Sequence, residues 1–154
     1  MRLVIQRVSR ALVTVFDEEH PQGFEKGRIN RGLVILLGLK IGDQTESAAR
    51  LAKKVSELRI FEDDLGKMNK SILDIEGEFL VISQFTLYGD TRKGRRPSFT
   101  GAMPPDEARK MYERFVELLT NSGLKVETGS FRSKMEVEII NDGPVTFVLE
   151  DDMP

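Results

Sequence analysis

The chain has no cysteine and a single histidine, His20. Without cysteine there is no disulfide, no zinc–thiolate site and no thiol nucleophile. One histidine excludes a histidine-rich metal site and argues against a Ser-His-Asp triad. His20 sits in the polar stretch Asp17–Gly23, which holds Pro21 and Gly23 and predicts a surface loop. Long apolar runs are also lacking. The longest, Leu33–Leu37, falls far short of the ~20 residues that a membrane-spanning helix needs. The segment Met1–Arg7 is interrupted too soon to read as a signal peptide. Charge of one sign is not in excess: 23 basic and 25 acidic side chains leave a net charge of −2. No global field draws the chain onto nucleic acid, so any such contact must come from a local patch. These properties fit a cytoplasmic protein that neither enters a membrane nor binds DNA.

What is present predicts one α+β domain over the 154 residues, with no repeat or linker. Leu3–Val8 and Leu12–Phe16 read as two strands joined near Ser9-Arg10. The polar segment 17–31 reads as an irregular, mobile hairpin connection, and Gly32–Gly38 as a buried strand. Ala48, Leu51, Ala52, Val55 and Leu58 recur at helical steps, which predicts a helix over 43–60. Asp43 with Glu46 three residues on predicts its capping box. The acidic trio Glu62-Asp63-Asp64 lacks the alternating ligands and closing glutamate of a calcium loop and reads as a turn. Ile72–Ile75 reads as a short strand. Pro104-Pro105-Asp106-Glu107 opens a second helix, with Gly123 as its stop. Lys125–Thr128, Met135–Ile140 and Val145–Leu149 read as three more strands. The expected architecture is a curved, mostly antiparallel, barrel-like sheet carrying two main helices.

Two stretches stand out. Phe79-Leu80-Val81-Ile82 is a continuous apolar run suited to a strand buried on both faces. Ser83 and Gln84 follow at once, then Phe85, Thr86 and a turn at Tyr88-Gly89-Asp90. The cationic stretch Arg92-Lys93-Gly94-Arg95-Arg96 comes next. A polar strand end beside a basic loop fits an anionic substrate; it also fits a core strand that runs into a solvated loop. The second stretch, Asn141-Asp142-Gly143-Pro144-Val145-Thr146, reads as a turn between strands. A cis Gly-Pro bond there would align two carbonyls as an acceptor pair for an ammonium group, and the sequence does not give the isomer.

Ser83–Leu87 and Asn141–Thr146 together resemble the two motifs of the D-aminoacyl-tRNA deacylases. Ile5–Val8, Leu36–Gly38, Arg59–Phe61, Gly66–Asn69 and Arg95–Phe99 agree in the same order, so the resemblance covers nearly the whole chain. It implies a homodimer with active sites at the subunit interface and no metal or organic cofactor. The implied reaction is hydrolysis of the ester between a D-amino acid and the 3′ end of tRNA, with glycyl-tRNA accepted as well, which proofreads chirality in translation. By position, Ser83, Gln84, Phe85 and Thr86 would line the ester pocket. Thr86 has been read in the family as a nucleophile, yet nothing near it in sequence is an obvious base. Attack by water, helped by the terminal hydroxyl of the tRNA, suits these residues better. Gly143 and Pro144, in cis, would enter the neighbouring subunit's pocket, hold the α-amino group and collide with an L side chain. Asn141, Thr146 and Arg7 would brace them. Arg92, Lys93, Arg95 and Arg96 would meet tRNA phosphates. The chain departs from the family's pattern in a longer 16–31 connection and in Leu12, where a small polar residue is common. The rival readings are the sister deacylase acting on mischarged L-aminoacyl-tRNA, a non-catalytic tRNA-binding module, and an editing domain cut from a synthetase. The motif residues disfavour the first two, and the single compact domain the third.

Overall fold

The computed structural model describes residues 1–151. The longest apolar segments of the sequence form its centre. β3 (Gly32–Gly38) and β6 (Glu78–Ser83) pair in parallel, from Gly32 opposite Glu78 to Leu37 opposite Ser83. Both strands are buried on both faces, as their unbroken runs of branched residues require. Leu33, Ile35, Phe79 and Val81 point to one apolar cluster; Val34, Leu80 and Ile82 point to a second. Gly32 permits this pairing, because a Cβ there would lie 1.8 Å from the Glu78 carbonyl oxygen.

The sheet continues as β2-β1-β3-β6-β7, and β8 pairs with the other side of β1. β1 (Arg2–Phe16) pairs antiparallel with β2 (Phe24–Ile29), β3 and β8 (Lys134–Glu150). β6 and β7 (Val126–Thr128) run parallel, so the sheet is mixed rather than mostly antiparallel. It curls until β2 lies near β7, where the Lys125 ammonium donates to the Arg28 carbonyl at 2.9 Å. The barrel is thus nearly closed. Its interior is the second cluster, built on Val8, Ala11, Val13, Ile29, Leu80 and Ile82.

The first cluster lies under two helices. α1 (Thr45–Glu57) buries Ala48, Leu51, Ala52 and Val55; α2 (Pro105–Thr120) buries Tyr112, Phe115 and Leu119. α2 opens with proline at its first turn and acids behind it, and the chain leaves it through Gly123 at φ 84°. α1 has no side-chain cap. Asp43 instead holds the buried Met1 ammonium and accepts from the Lys40 N–H at 2.8 Å. A buried charge must be paired, and that demand outweighs the capping box.

Several elements differ from the sequence reading. The two strands expected before Phe16 are one, because the exposed Ser9 and Arg10 form a bulge instead of a break. The bulge turns the buried face of β1 from Leu3 and Ile5, in the first cluster, to Ala11 and Val13, in the second. The segment 17–31 is a hairpin connection as expected, but its irregular part stops before Phe24, since Phe24–Ile29 pairs with β1 as β2. Ile72–Ile75 is a set of turns: Ser71 and Asp74 exchange backbone-to-side-chain bonds, and Gly77 N–H reaches the Ile72 carbonyl at 3.0 Å. The acidic trio is a turn between the short strands β4 (Phe61–Glu62) and β5 (Met68–Lys70). There Asp63 accepts from the N–H of Leu65 and Lys67 and from the Asn69 amide. The last two strands are one, β8, running through the Gly143-Pro144 step.

Candidate active site

β6 ends at Ser83, at the rim of a cavity of about 610 Å³. Gln84 stays in register, its N–H donating to the Leu37 carbonyl at 2.8 Å. The chain then curls into a 3₁₀ turn, Phe85–Tyr88. Gly38 lets this turn pack on β3, since a Cβ there would come within 2.8 Å of Leu87 Cβ. Ser83, Gln84 and Phe85 line the cavity. Thr86 is exposed and not part of the lining, and its Oγ1 accepts from the Gln84 side-chain amide. The backbone N–H groups of Phe85 and Thr86 open the turn, and no carbonyl among the described residues takes them.

A second wall comes from the segment before α2. Phe99 meets Phe85 edge-on at 5.0 Å between ring centroids. Met103 N–H donates to the Leu39 carbonyl at 3.0 Å, which pins Ala102 to Pro105 beside the end of β3. The third wall is the turn before β8 and the inward face of β8 itself: Phe131, Arg132, Ser133, Met135 and Val137. α2 grips Phe131 from behind, with the Arg109 guanidinium 4.7 Å and the Tyr112 ring 5.9 Å from its ring. Burial pushes the Tyr112 hydroxyl's pKa up, and that hydroxyl donates to the Val81 carbonyl at 2.8 Å. Sequence reasoning missed this wall as part of a site. Only the topology brings residues 131–137 beside Ser83; no local pattern marks them.

The other motif lies elsewhere. Asn141–Thr146 does not line the cavity of its own chain. It forms a wide bulge in the β1–β8 pairing: between Gln6–Thr146 and Val8–Asn141, β1 advances two residues while β8 advances five. Gly143 and Pro144 are exposed, joined by a cis bond, with Gly143 at φ 139°. The bulge is held from behind. Arg7 is 5% exposed; it donates to the carbonyls of Asp142 at 3.0 Å and Ile60 at 2.9 Å. Asn141 Oδ1 accepts from the Val145 N–H at 2.8 Å, and Thr146 Oγ1 receives the amides of Asn141 and Gln6, each at 3.1 Å. Arg7, Asn141 and Thr146 therefore form one brace.

The basic loop is an exposed excursion closed by the Asp90–Ser98 bridge. Its four cations are not equivalent. Arg92 binds Asp90 with two parallel bonds, 2.9 and 2.7 Å. The guanidinium holds the Asp90 carboxyl down at about 2, below the usual 3.8. Lys93, Arg95 and Arg96 have no ion-pair partner among the described residues. Those residues also hold no cluster of three or more His, Asp or Glu side chains able to bind a metal. None of their helices is long and apolar enough to cross a membrane.

The family model described as D-Tyr-tRNA(Tyr) deacylase matches residues 4–150. The chain belongs to this family. Two relatives, from Thermotoga petrophila and Heliobacterium modesticaldum, are each 57% identical over 150 residues. Those matches span 97% of this chain and 97% and 96% of the relatives, and both proteins are named D-aminoacyl-tRNA deacylase. Among solved structures, one titled c-Myc DNA Unwinding Element Binding Protein is 39% identical with a TM-score of 0.89, covering 99% of this chain and 100% of that one. A second, titled as a probable eukaryotic D-amino acid tRNA deacylase, has a TM-score of 0.80 over 96% of this chain and 97% of its own. At 17% identity that second likeness concerns the family's fold alone.

Proposed function

We propose that this protein is a cytoplasmic homodimer that hydrolyses the ester joining a D-amino acid to the 3′ end of tRNA. It accepts glycyl-tRNA as its achiral substrate and removes wrong-handed amino acids before they reach translation. The observation that carries the reading is the cavity at the end of β6: Ser83, Gln84 and Phe85 line it, no carboxylate or histidine among the described residues does, and the chain belongs to a deacylase family. An aminoacyl ester is activated already, so water can add to its carbonyl without a covalent enzyme intermediate. The N–H of Phe85, which lines the cavity, receives the developing oxyanion; one such donor contributes about 3–4 kcal/mol in other hydrolases. The bond from the carbonyl carbon to the ribose oxygen then breaks, and the ribose oxygen takes the proton. With no side-chain base in the lining, the neighbouring ribose hydroxyl of the substrate orients the water.

Rejection of L-amino acids falls to Gly143 and Pro144 of the partner subunit, whose carbonyls hold the α-amino group. Three features support this placement. The pair is exposed and away from its own chain's cavity, and it is braced by Arg7, Asn141 and Thr146. It is also flanked on β8 by the exposed apolar side chains Ile140, Phe147 and Val148. Arg92, Lys93, Arg95 and Arg96 would meet the phosphates of the tRNA. The deciding experiment incubates D-Tyr-tRNA and L-Tyr-tRNA separately with chelator-treated protein. Loss of the D ester alone is expected. Loss of the L ester would indicate the sister activity, and binding without hydrolysis would reduce the protein to a tRNA-binding module.

A further inference from the structure

Of the described residues lining the cavity, only Arg132 carries a charge. It occupies the third position of the turn Ser130–Ser133, which closes through Ser133 N–H to the Ser130 carbonyl at 3.2 Å and a hydroxyl–hydroxyl bond at 2.8 Å. Its backbone is left-handed, φ 62°, a conformation that glycine takes freely and that a side chain with a Cβ disfavours. Its guanidinium is exposed and has no ion pair or hydrogen bond among the described residues. A turn position suited to glycine thus carries a long, unpaired cation at the mouth of an otherwise neutral, largely apolar cavity.

The size of the cavity indicates what that cation meets. A volume of about 610 Å³ lies in the ~300–1,000 Å³ range of pockets that enclose one small ligand. Under the deacylase reading, that is room for a terminal nucleoside with its aminoacyl group, which leaves the rest of the tRNA outside. The first anion outside is the phosphodiester 5′ of that nucleoside, present in every substrate whatever its amino acid. We infer that Arg132 is a substrate-binding residue for this last internucleotide phosphate, clamping it with the paired N–H donors of its guanidinium as the ester enters. This inference rests on the deacylase reading and adds to it a contact on the cavity wall, in a chain segment separate from the basic loop.

The test compares two synthetic esters: D-tyrosine on adenosine, which has no phosphate, and D-tyrosine on the 3′ end of cytidylyl-adenosine, which has one. The readout is the ratio of kcat/KM for the second to the first. Arg132→Gly keeps the left-handed turn, so its melting temperature should be no lower than that of the wild type. The ratio is expected to fall about tenfold in Arg132→Gly and further in Arg132→Glu. With full-length D-Tyr-tRNA as the substrate, the log–log salt dependence of kcat/KM should become shallower by ~0.7, the share of one phosphate on a single strand. An unchanged ratio overturns the inference. A loss confined to D-aspartyl and D-glutamyl esters also overturns it, assigning Arg132 to the amino-acid side chain. Wild-type protein that cleaves D-Tyr-tRNA but not the dinucleotide ester also overturns the inference; if it cleaves none of the three, the deacylase reading itself fails.

Discussion

At the scale of single residues, Thr86 and Asp90 are placed in ways their neighbours in sequence do not reveal. Thr86 follows Gln84 and Phe85 in the motif, yet it stands outside the cavity with its hydroxyl accepting from the Gln84 amide. Thr86→Ala should therefore lower kcat by less than about tenfold in single-turnover deacylation. A covalent nucleophile would cost a factor of ~10³ or more. Asp90 is set by Arg92. Its folded carboxyl titrates at about 2, below its ordinary 3.8, so the folded chain binds fewer protons than the unfolded chain between those values. The contribution of this pair to stability is complete above about pH 4 and disappears as the pH falls toward 2. A carboxyl-resolved NMR titration should place the Asp90 midpoint near 2 and show it returning toward 3.8 in Arg92→Ala. The motifs and the basic loop were legible in the sequence because each is a contiguous run of distinctive residues. The pairing of Arg92 was not, because composition shows a charge and not its counter-ion.

Elements built on uninterrupted runs were legible as well. β3 and β6 have no polar residue to face water along their apolar cores, and both helices keep their apolar spacing over several turns. Where local preference competes with a distant demand, the reading failed. Ser9-Arg10 is a credible break, but β8 pairs with β1 on both sides of it and carries the strand across as a bulge. Asn141–Pro144 has the composition of a turn, yet the chain on both sides belongs to one strand against β1. Phe24–Ile29 is mostly charged residues and glycine, and becomes a strand only because β1 offers it an edge. The contact between β3 and β6 is the least forgiving of these joins. Gly32→Ala drives a methyl into the Glu78 carbonyl, a backbone atom that cannot swing aside. It should abolish soluble expression, or lower the unfolding free energy from urea titration by more than a typical surface substitution does (within about 0.5 kcal/mol). A Gly32→Ala protein with wild-type stability would show that the two strands have room to separate.

At the scale of the whole molecule, the two motifs lie apart in one chain, and the apolar side chains beside the Gly143-Pro144 bulge face outward. Light scattering after gel filtration should give twice the 17.4 kDa of the chain. Val148→Asp, which puts a charge on a side chain 59% exposed, should shift that mass toward the single-chain value and cut deacylation with it. A fully active monomer would place both halves of the site in one subunit. The fold's order of assembly also carries a consequence for synthesis. β1 is made before the other strands, yet one side of it is covered only by β8, which is made after all of them. At ~5–20 residues per second, β1 waits on the order of ten seconds on the ribosome for its final partner. During that wait its edge is open to other extended chains. Nascent chains stalled before residue 134 should therefore be held by chaperones, and chains released beyond Glu150 should not.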